Sequence, residues 1–337
     1  MAVVKANAYG HGLVIVAEAL ADADSLAVAR LSEAQVLRDA GIEKPVVILS
    51  GVYCAADLQR SSAMICELVV HCEAQIELLE ANPDYAVTVW LKLDTGMNRL
   101  GFPIAEADVL MQRLNACAAV RELRLMTHLA NADDTNDPKT DAQLQQFAAV
   151  TGSFSGDISI ANSGGIFGWS RAVKPDNLSS TSRVWIRPGI ALYGVSPFPE
   201  KNGSELGLQP GMRFESTLIS VKPIAAGATV GYGGEWAAER DTVLGIVSAG
   251  YGDGYTRYLP SGTPVFVNGR AVPLVGVVSM DSAAVDLGPS SGDSVGDIVE
   301  LWGDGIPVEE VARKAGTTAY QLVCGVMNRE ASSVISS

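Results

Sequence analysis

Short runs of β-branched residues alternate with helical patterns over the first 195 residues of the chain. The helical segments repeat apolar residues at i, i+3 and i+4, as in SEAQVLRDAG, CEAQIELLEA and EADVLMQRLNAC. Strands that alternate with helices form a parallel sheet, and eight such units indicate a (β/α)₈ barrel rather than an open doubly wound sheet. The predicted strands are Ala2–Lys5, Ser25–Arg30, Pro45–Ser50, Glu67–His71, Val87–Leu93, Glu122–His128, Asp157–Ala161 and Arg183–Arg187.

The pattern changes in residues 196–211. The segment SPFPEKNGSELGLQPG holds three prolines and three glycines, and we interpret it as a linker. Beyond it, TLISVKPI, TVLGIVSAG and DIVELW are typical of strands, and Asn268-Gly269 is a hairpin signal. Only PVEEVARKAG and the last twenty residues favour helix. We therefore predict an α/β barrel domain over residues 1–211 and a mostly β domain over residues 212–337.

The composition limits the kinds of partner. The 337 residues are 48% hydrophobic and 18% charged, which excludes a disordered chain and predicts a large core. The net charge of −14 argues against DNA or RNA, because the field of the protein repels phosphate. No run of about 18 apolar residues is free of charged or polar groups, so we expect no membrane span. The opening MAVVKANAYGHG lacks a signal-peptide pattern.

The cysteines give no sign of a metal site or a disulfide framework. Their number is odd, their spacing lacks paired metal-ligand motifs, and the chain has only three histidines. We therefore expect that the protein binds no metal. We also expect its thiols to be reduced, as they are in the cytoplasm. The five cysteines are Cys54, Cys66, Cys72, Cys117 and Cys324.

Polar side chains are concentrated where the predicted barrel strands end. A (β/α)₈ barrel places its chemistry at the C-terminal ends of its strands, and four of the eight predicted strands carry Lys5, Lys92, His128 or Arg187 at or beside their ends. Any one of these groups could form a rim salt bridge, but the set favours a functional site. The strand ends carry Lys5, Lys92 with Asp94–Arg99, His128, Asn162–Gly165 and Arg187–Ile190.

These residue types form a chemical set. A lysine at a barrel mouth is a candidate Schiff-base amine, because burial lowers its pKa. Ser163-Gly164-Gly165 and Gly189-Ile190 supply backbone N–H groups in the loops after strands seven and eight, where this fold usually binds phosphate. A lysine with a phosphate cradle suggests pyridoxal 5′-phosphate. Each half is a weak signal alone, since a glycine pair is usually a turn.

The motifs resemble those of the alanine racemase family, pyridoxal-phosphate enzymes of fold type III. AVVKANAYGHG is similar to the family's cofactor-lysine signature. LKLDTGMNRLGF, THLANAD, ANSGG, RPGIALYG, VGYGGEW, GYGDGY, VSMD and AYQLVC follow in the family's order over nearly the whole chain. The resemblance implies an isomerase that interconverts L-alanine and D-alanine, for peptidoglycan synthesis or alanine catabolism.

The resemblance also implies catalytic roles. Lys5 would hold the cofactor as a Schiff base and act as one base, while Tyr232 would act on the opposite face as the second base. Tyr232 would come from the other subunit of a homodimer with shared active sites. A tyrosine has a pKa near 10 and needs a cationic environment, which His128 and Arg187 would supply. Arg187 would donate to the pyridine nitrogen, which weakens the electron sink and disfavours transamination and decarboxylation.

Binding roles follow from the same resemblance. Lys92 matches a position that is often carbamylated in the family, where it holds Arg99. The implied cofactor contacts are Lys5, Tyr9, Arg99, His128, Asn162, Ser163, Arg187, Gly189, Ile190 and Tyr320. The implied substrate contacts are Arg99, Tyr251, Met280 and Asp281.

Alternatives stay open at this point. A racemase of the same fold could act on serine, lysine or a broad range of amino acids, and a non-catalytic pyridoxal-phosphate-binding protein is a different class of reading. Relative to the family, the chain begins almost at Lys5, so we expect the usual N-terminal segment to be lacking. After AYQLVC it continues as GVMNREASSVISS, so we expect the last strand to be missing or altered.

Overall fold

The structure, a computed structural model, describes residues 1–175 and 178–327. Contacts between Cα atoms divide the chain into two compact units. The first holds Met1–Ala8 and Gly12–Leu192, and the second holds Tyr9–His11 and the chain from Tyr193 onward. Residues 328–337, the end of the predicted 212–337 domain and most of the segment in which we expect an altered last strand, lie outside the described residues.

The first unit is the predicted (β/α)₈ barrel. Eight of its strands are parallel and pair in the order β1-β2-β3-β4-β5-β7-β8-β9. A short additional strand, β6, pairs with β5. The Met1 and Val3 N–H groups donate to the carbonyls of Ile186 (2.8 Å) and Pro188 (3.0 Å), which joins the first strand to the last. The strands are β1 Ala2–Val3, β2 Leu26–Val28, β3 Val46–Ile48, β4 Cys66–Val70, β5 Val87–Asp94, β6 Phe102–Pro103, β7 Val120–Met126, β8 Ile158–Ser159 and β9 Val184–Trp185.

Helices follow the strands and cover them, which is why the strands are near-continuous apolar runs rather than alternating ones. The helix Pro138–Thr151 shows how local sequence sets a boundary: Asp137 accepts the Lys139 N–H, and proline occupies the first turn. The helices of this unit are Leu13–Ala19, Leu31–Asp39, Ala55–Ala63, Glu73–Glu80, Ala107–Ala116, Pro138–Thr151, Ser163–Gly168 and Ser170–Val173.

The second unit is the predicted mostly β domain, closed into an antiparallel barrel in the order β10-β13-β16-β15-β14-β17. The Asn268-Gly269 hairpin joins β14 to β15, and both of its residues have positive φ (46° and 79°), as a two-residue turn of this kind requires. The strands are β10 Phe214–Ile224, β11 Thr229–Val230, β12 Trp236–Ala237, β13 Thr242–Val247, β14 Pro264–Val267, β15 Arg270–Val275, β16 Ala283–Gly288 and β17 Ile298–Trp302. Two helices follow, Val308–Ala315 and Ala319–Gly325.

The proline- and glycine-rich segment 196–211 is bonded within the second unit. The carboxylate of Glu309, only 7% exposed, accepts the N–H groups of Ser196 (2.9 Å) and Gly203 (2.8 Å). Two charge-assisted hydrogen bonds from one buried acid fix this segment against the helix Val308–Ala315. Across residues 1–175 and 178–327, no helix is long and apolar enough to cross a membrane.

A buried ion pair stabilises the first barrel away from its strand ends. Arg124, 7% exposed, lies between Trp90 and Trp185, with its guanidinium carbon 5.3 Å from each ring centre. It donates to Glu122 and, at 3.1 Å, to both carboxylate oxygens of Glu67. In this barrel type the active site lies at the C-terminal ends of the strands, and contacts elsewhere in the barrel serve stability.

Arg124→Ala is expected to lower the free energy of unfolding by about 3–5 kcal/mol, because it leaves the largely buried Glu67 carboxylate without its cation. Urea unfolding followed by tryptophan fluorescence measures this directly. The control is Arg60→Ala, which removes an ion pair to Asp57 between half-exposed side chains and should cost less than about 1 kcal/mol. Equal losses in the two variants would contradict the prediction.

Candidate active site

Lys5 stands directly after β1, at the start of a left-handed turn. The φ angles of the four residues Ala6–Tyr9 lie between 52° and 54°. This region costs an L-residue about 1–2 kcal/mol, so such a turn persists only where the surroundings enforce it. One support is the Ala6 N–H, which donates to Glu33 Oε1 at 2.7 Å. Strain of this kind, next to a half-buried lysine, marks a candidate functional site.

Cations gather at the ends of the barrel strands in a chain whose net charge is strongly negative. Lys92, 8% exposed, lies on β5, and it is electrostatically coupled to Lys5 after β1 and to Arg187 after β9. Burial first, and then the charges of Arg187, Arg99 and Lys5, lower the pKa of Lys92 to about 8, while Asp94 opposes them. The cluster therefore suits a ligand with several anionic groups.

Arg187 is the most buried member of this cluster. Its guanidinium, in a residue 4% exposed, donates to the carbonyls of Thr127 and Ile160 and to Ser159 Oγ. These acceptors lie at the ends of β7 and β8, so Arg187 ties neighbouring strand ends together. Burial lowers its pKa to about 10, which still leaves it protonated at neutral pH.

His128 is uncharged at neutral pH. Burial lowers its pKa well below 6.5, and the charges of Arg187, Lys92, Arg99 and Lys5 act in the same direction. Arg187 lies 3.3 Å from His128 Nδ1 and is only a donor, so Nδ1 accepts. In a neutral imidazole the proton is then on Nε2, and the amide nitrogen of Asn162 lies 3.5 Å from that atom.

The loops after β8 and β9 form the predicted cradle. Ser163 Oγ accepts the N–H groups of Gly189 (3.0 Å) and Ala191 (3.4 Å), and Asn162 Oδ1 accepts that of Gly165 (2.9 Å). A hydroxyl that accepts in this way keeps its own O–H for another acceptor. The structure thus brings together four predicted site residues, Asn162, Ser163, Gly189 and Ile190.

The remaining predicted residues belong to the second unit. Tyr9 stacks on Tyr193 with ring centres 4.9 Å apart, and Tyr320 is 6.2 Å from Tyr9. Tyr251 is bonded beside Met280, because its N–H donates to the Ser279 carbonyl at 3.0 Å. Most of these residues are exposed. The exposed fraction is 67% for Tyr232, 54% for Met280 and 40% for both Tyr251 and Tyr320, and Asp281 is exposed as well.

Comparison with known proteins identifies the family of this chain. The family model for the alanine racemase N-terminal domain matches residues 1–197, and that for the C-terminal domain matches residues 211–334. The chain belongs to the alanine racemase family. It is 48% identical over 334 residues to the biosynthetic alanine racemase of Escherichia coli strain K12. The aligned region covers 98% of this chain and 90% of that protein.

Solved alanine racemases share the fold. The biosynthetic alanine racemase from Pseudomonas aeruginosa superposes with a TM-score of 0.90 at 43% identity, over 98% of this chain and 90% of that one. The alanine racemase from Bartonella henselae, solved with covalently bound pyridoxal phosphate, gives a TM-score of 0.84 at 30% identity, over 97% and 90%.

One buried polar residue that bonds to the loops at the strand ends was not predicted from the sequence. Gln143, 2% exposed, lies on the helix Pro138–Thr151 and bonds to the loops after β5 and β7. Its signal was present in the motif DAQLQQFAAVTG, where Gln143 shares the buried face with Leu144 and Phe147. A glutamine on the apolar face of a helix has to be hydrogen-bonded inside the protein.

In His128→Asn, the free energy of unfolding is expected to fall less steeply than in the wild type as the pH is lowered below 6.5. Because the pKa of His128 is lower in the folded chain than the unfolded value of 6.5, the unfolded chain binds more protons below that pH. The wild type therefore loses up to about 1.4 kcal/mol per pH unit from this group as the pH falls below 6.5. Urea unfolding of both proteins at a series of pH values checks this, and parallel pH curves would refute it.

Proposed function

We propose that the protein interconverts L-alanine and D-alanine with pyridoxal 5′-phosphate as its cofactor. The observation that carries the proposal is Lys5, held at the end of β1 by a left-handed turn and electrostatically coupled to Lys92 and His128. Membership of the alanine racemase family gives this arrangement its reaction.

The donor set fits the cofactor, which carries an aldehyde, a phosphate, a phenolic oxygen and a ring nitrogen. The Lys5 amine would take the aldehyde, and Arg187 would face the ring nitrogen. When bound, pyridoxal phosphate supplies the electron sink that makes the substrate Cα–H acidic. The phosphate would be held by Tyr9, Ser163, Gly189, Ile190 and Tyr320, with Asn162 capping the helix behind them.

Two bases on opposite faces would move the proton. Lys5 would take or return the Cα proton on one face, and Tyr232 would do so on the other. The Nε2–H of His128 would donate to the Tyr232 oxygen and stabilise its deprotonated form. Arg187 would support this donation from the other side of the imidazole. It binds Nδ1 of the neutral ring, and its positive charge lies next to His128.

Arg187 also favours racemisation over neighbouring reactions. A carboxylate at the ring nitrogen would keep it protonated, whereas an arginine that stays charged only donates to it. The weaker electron sink shortens the time in which decarboxylation or transamination could compete. The proposed role is supported by the fixed position of the side chain, since the Arg187 N–H groups bind the ends of β7 and β8.

Arg99 would bind the substrate carboxylate together with the Met280 N–H, with Asp281 and Tyr251 beside them. We also propose that Lys92 is carbamylated. With a pKa of about 8, about a tenth of the amine is neutral at pH 7, and in that form it adds to carbon dioxide with release of a proton to water. The resulting anion would hold Arg99 in place.

The assembly is proposed to be a homodimer with shared sites. Residues 1–211 would bind the cofactor, and residues 212–337 would supply Tyr232 to the partner subunit. Tyr232 is 67% exposed, as a base that acts outside its own subunit has to be. The five free cysteines favour the cytoplasm, and D-alanine for peptidoglycan is the proposed use.

Purified protein with added pyridoxal phosphate is expected to form D-alanine from L-alanine, measured by chiral chromatography. Lys5→Ala should lose more than about 10³-fold in rate, because it removes both a base and the cofactor anchor. Parallel incubations with L-serine and L-lysine separate an alanine racemase from one of broader range. A Lys5→Ala protein as active as the wild type would rule the mechanism out.

Lys5→Ala and Tyr232→Phe are each expected to be nearly inactive, yet to regain activity when unfolded and refolded together. Random pairing makes half of the dimers hybrid, and each hybrid has one site with both bases, so about a quarter of the wild-type rate should return. The control is each variant refolded alone. No recovery in a mixture shown to contain hybrid dimers would exclude sites shared between subunits.

A further inference from the structure

Gln143 reaches from its helix to two loops at the mouth of the first barrel. Its Oε1 accepts the Ala130 N–H at 2.8 Å, and its Nε2 donates to the His128 carbonyl at 3.0 Å and to Thr95 Oγ1 at 3.1 Å. The residue is 2% exposed. One amide therefore makes three hydrogen bonds in a place that water scarcely reaches.

These bonds join the two loops that carry Arg99 and His128. Thr95 belongs to the loop after β5, and its hydroxyl also lies 2.8 Å from that of Thr127, the residue before His128. Both threonines are buried. The link continues along the loop, because Asp94 Oδ1 accepts three successive backbone N–H groups, those of residues 96, 97 and 98. Arg99 follows immediately.

We propose that Gln143 is a positioning residue for racemisation, which sets Arg99 and His128 relative to each other. The proposal rests on the roles proposed above for those two residues. Without the amide, the Thr95 and Thr127 hydroxyls still join the two loops, but Thr95, His128 and Ala130 lose the partner that they share. The substrate-carboxylate site and the imidazole behind Tyr232 are then held less firmly relative to each other, and binding of the carboxylate weakens.

Gln75 provides a matched control within the same barrel. It is also 2% exposed, its Oε1 accepts the His71 N–H at 2.9 Å, and its Nε2 donates to the Ser50 carbonyl at 3.0 Å. It thus joins the strand ends of β3 and β4 as Gln143 joins those of β5 and β7. Neither of the strand ends bonded by Gln75 carries a residue of the proposed site.

The experiment compares Gln143→Met with Gln75→Met as holoenzymes. Methionine keeps the length of the side chain and removes its polar atoms, so both variants should unfold at a similarly reduced urea concentration. Only Gln143→Met should raise the KM for L-alanine. It should also weaken the binding of propionate, measured by calorimetry, by about tenfold, which corresponds to about 1.4 kcal/mol.

A milder variant guards against misfolding. Thr95→Val removes the hydroxyl between Gln143 and Thr127 and keeps the β-branched shape, and it should change propionate binding in the same direction by a smaller factor. Wild-type propionate affinity in Gln143→Met, or an equal loss in Gln75→Met, would overturn the proposal and leave the proposed function intact. A wild type that neither racemises alanine nor binds propionate would overturn both.

Discussion

The burial of one guanidinium organises the mouth of the first barrel. Arg187 has almost no exposure, and its N–H groups bind the carbonyl ends of two strands as well as His128 Nδ1. A charge in that position is tolerated only because its donors are bonded. The same bonds fix which nitrogen of His128 accepts and which donates. The electrostatics and the geometry of the site therefore have a common origin.

Positive charges at close range repel one another unless an anion binds between them. Lys5, Lys92, Arg99 and Arg187 all act on the same region, and the lowered pKa values of Lys92 and His128 show the chain reducing its charge there. A dianionic phosphate, a phenolic oxygen and a substrate carboxylate would relieve this repulsion. The cluster thus favours ligand binding at some cost to the stability of the empty protein.

The sequence predicts the parts of the fold that depend on local pattern. All eight barrel strands are found because a parallel strand buried on both faces is a short apolar run, and the helices between them are amphipathic. The Asn268-Gly269 hairpin is found because its turn requires positive φ. The closure of the second barrel is different, since β10 pairs with both β13 and β17, and no local pattern encodes such distant pairing.

The candidate site divides in the same way. Lys5, Lys92, His128 and Arg187 are visible in the sequence because a polar residue that ends an apolar strand is unusual. The left-handed turn after Lys5 is not visible, because Ala6 and Ala8 carry no preference for positive φ, and long-range contacts impose it. Gln143 was missed because an amide within a helix resembles a surface residue until its partners are known.

The two halves of the proposed chemistry differ in how firmly their own unit holds them. The groups on the strand ends are bonded to one another, and Arg187, Asp94 and Gln143 each make at least three of these hydrogen bonds. Tyr232 lies among glycines, with positive φ at Gly231, Gly233 and Gly234, and most of its surface is exposed. A phenolate is stabilised by a hydrogen-bond donor and a nearby positive charge in a desolvated place. Assembly with the His128 side of a partner would therefore create the second base as well as position it.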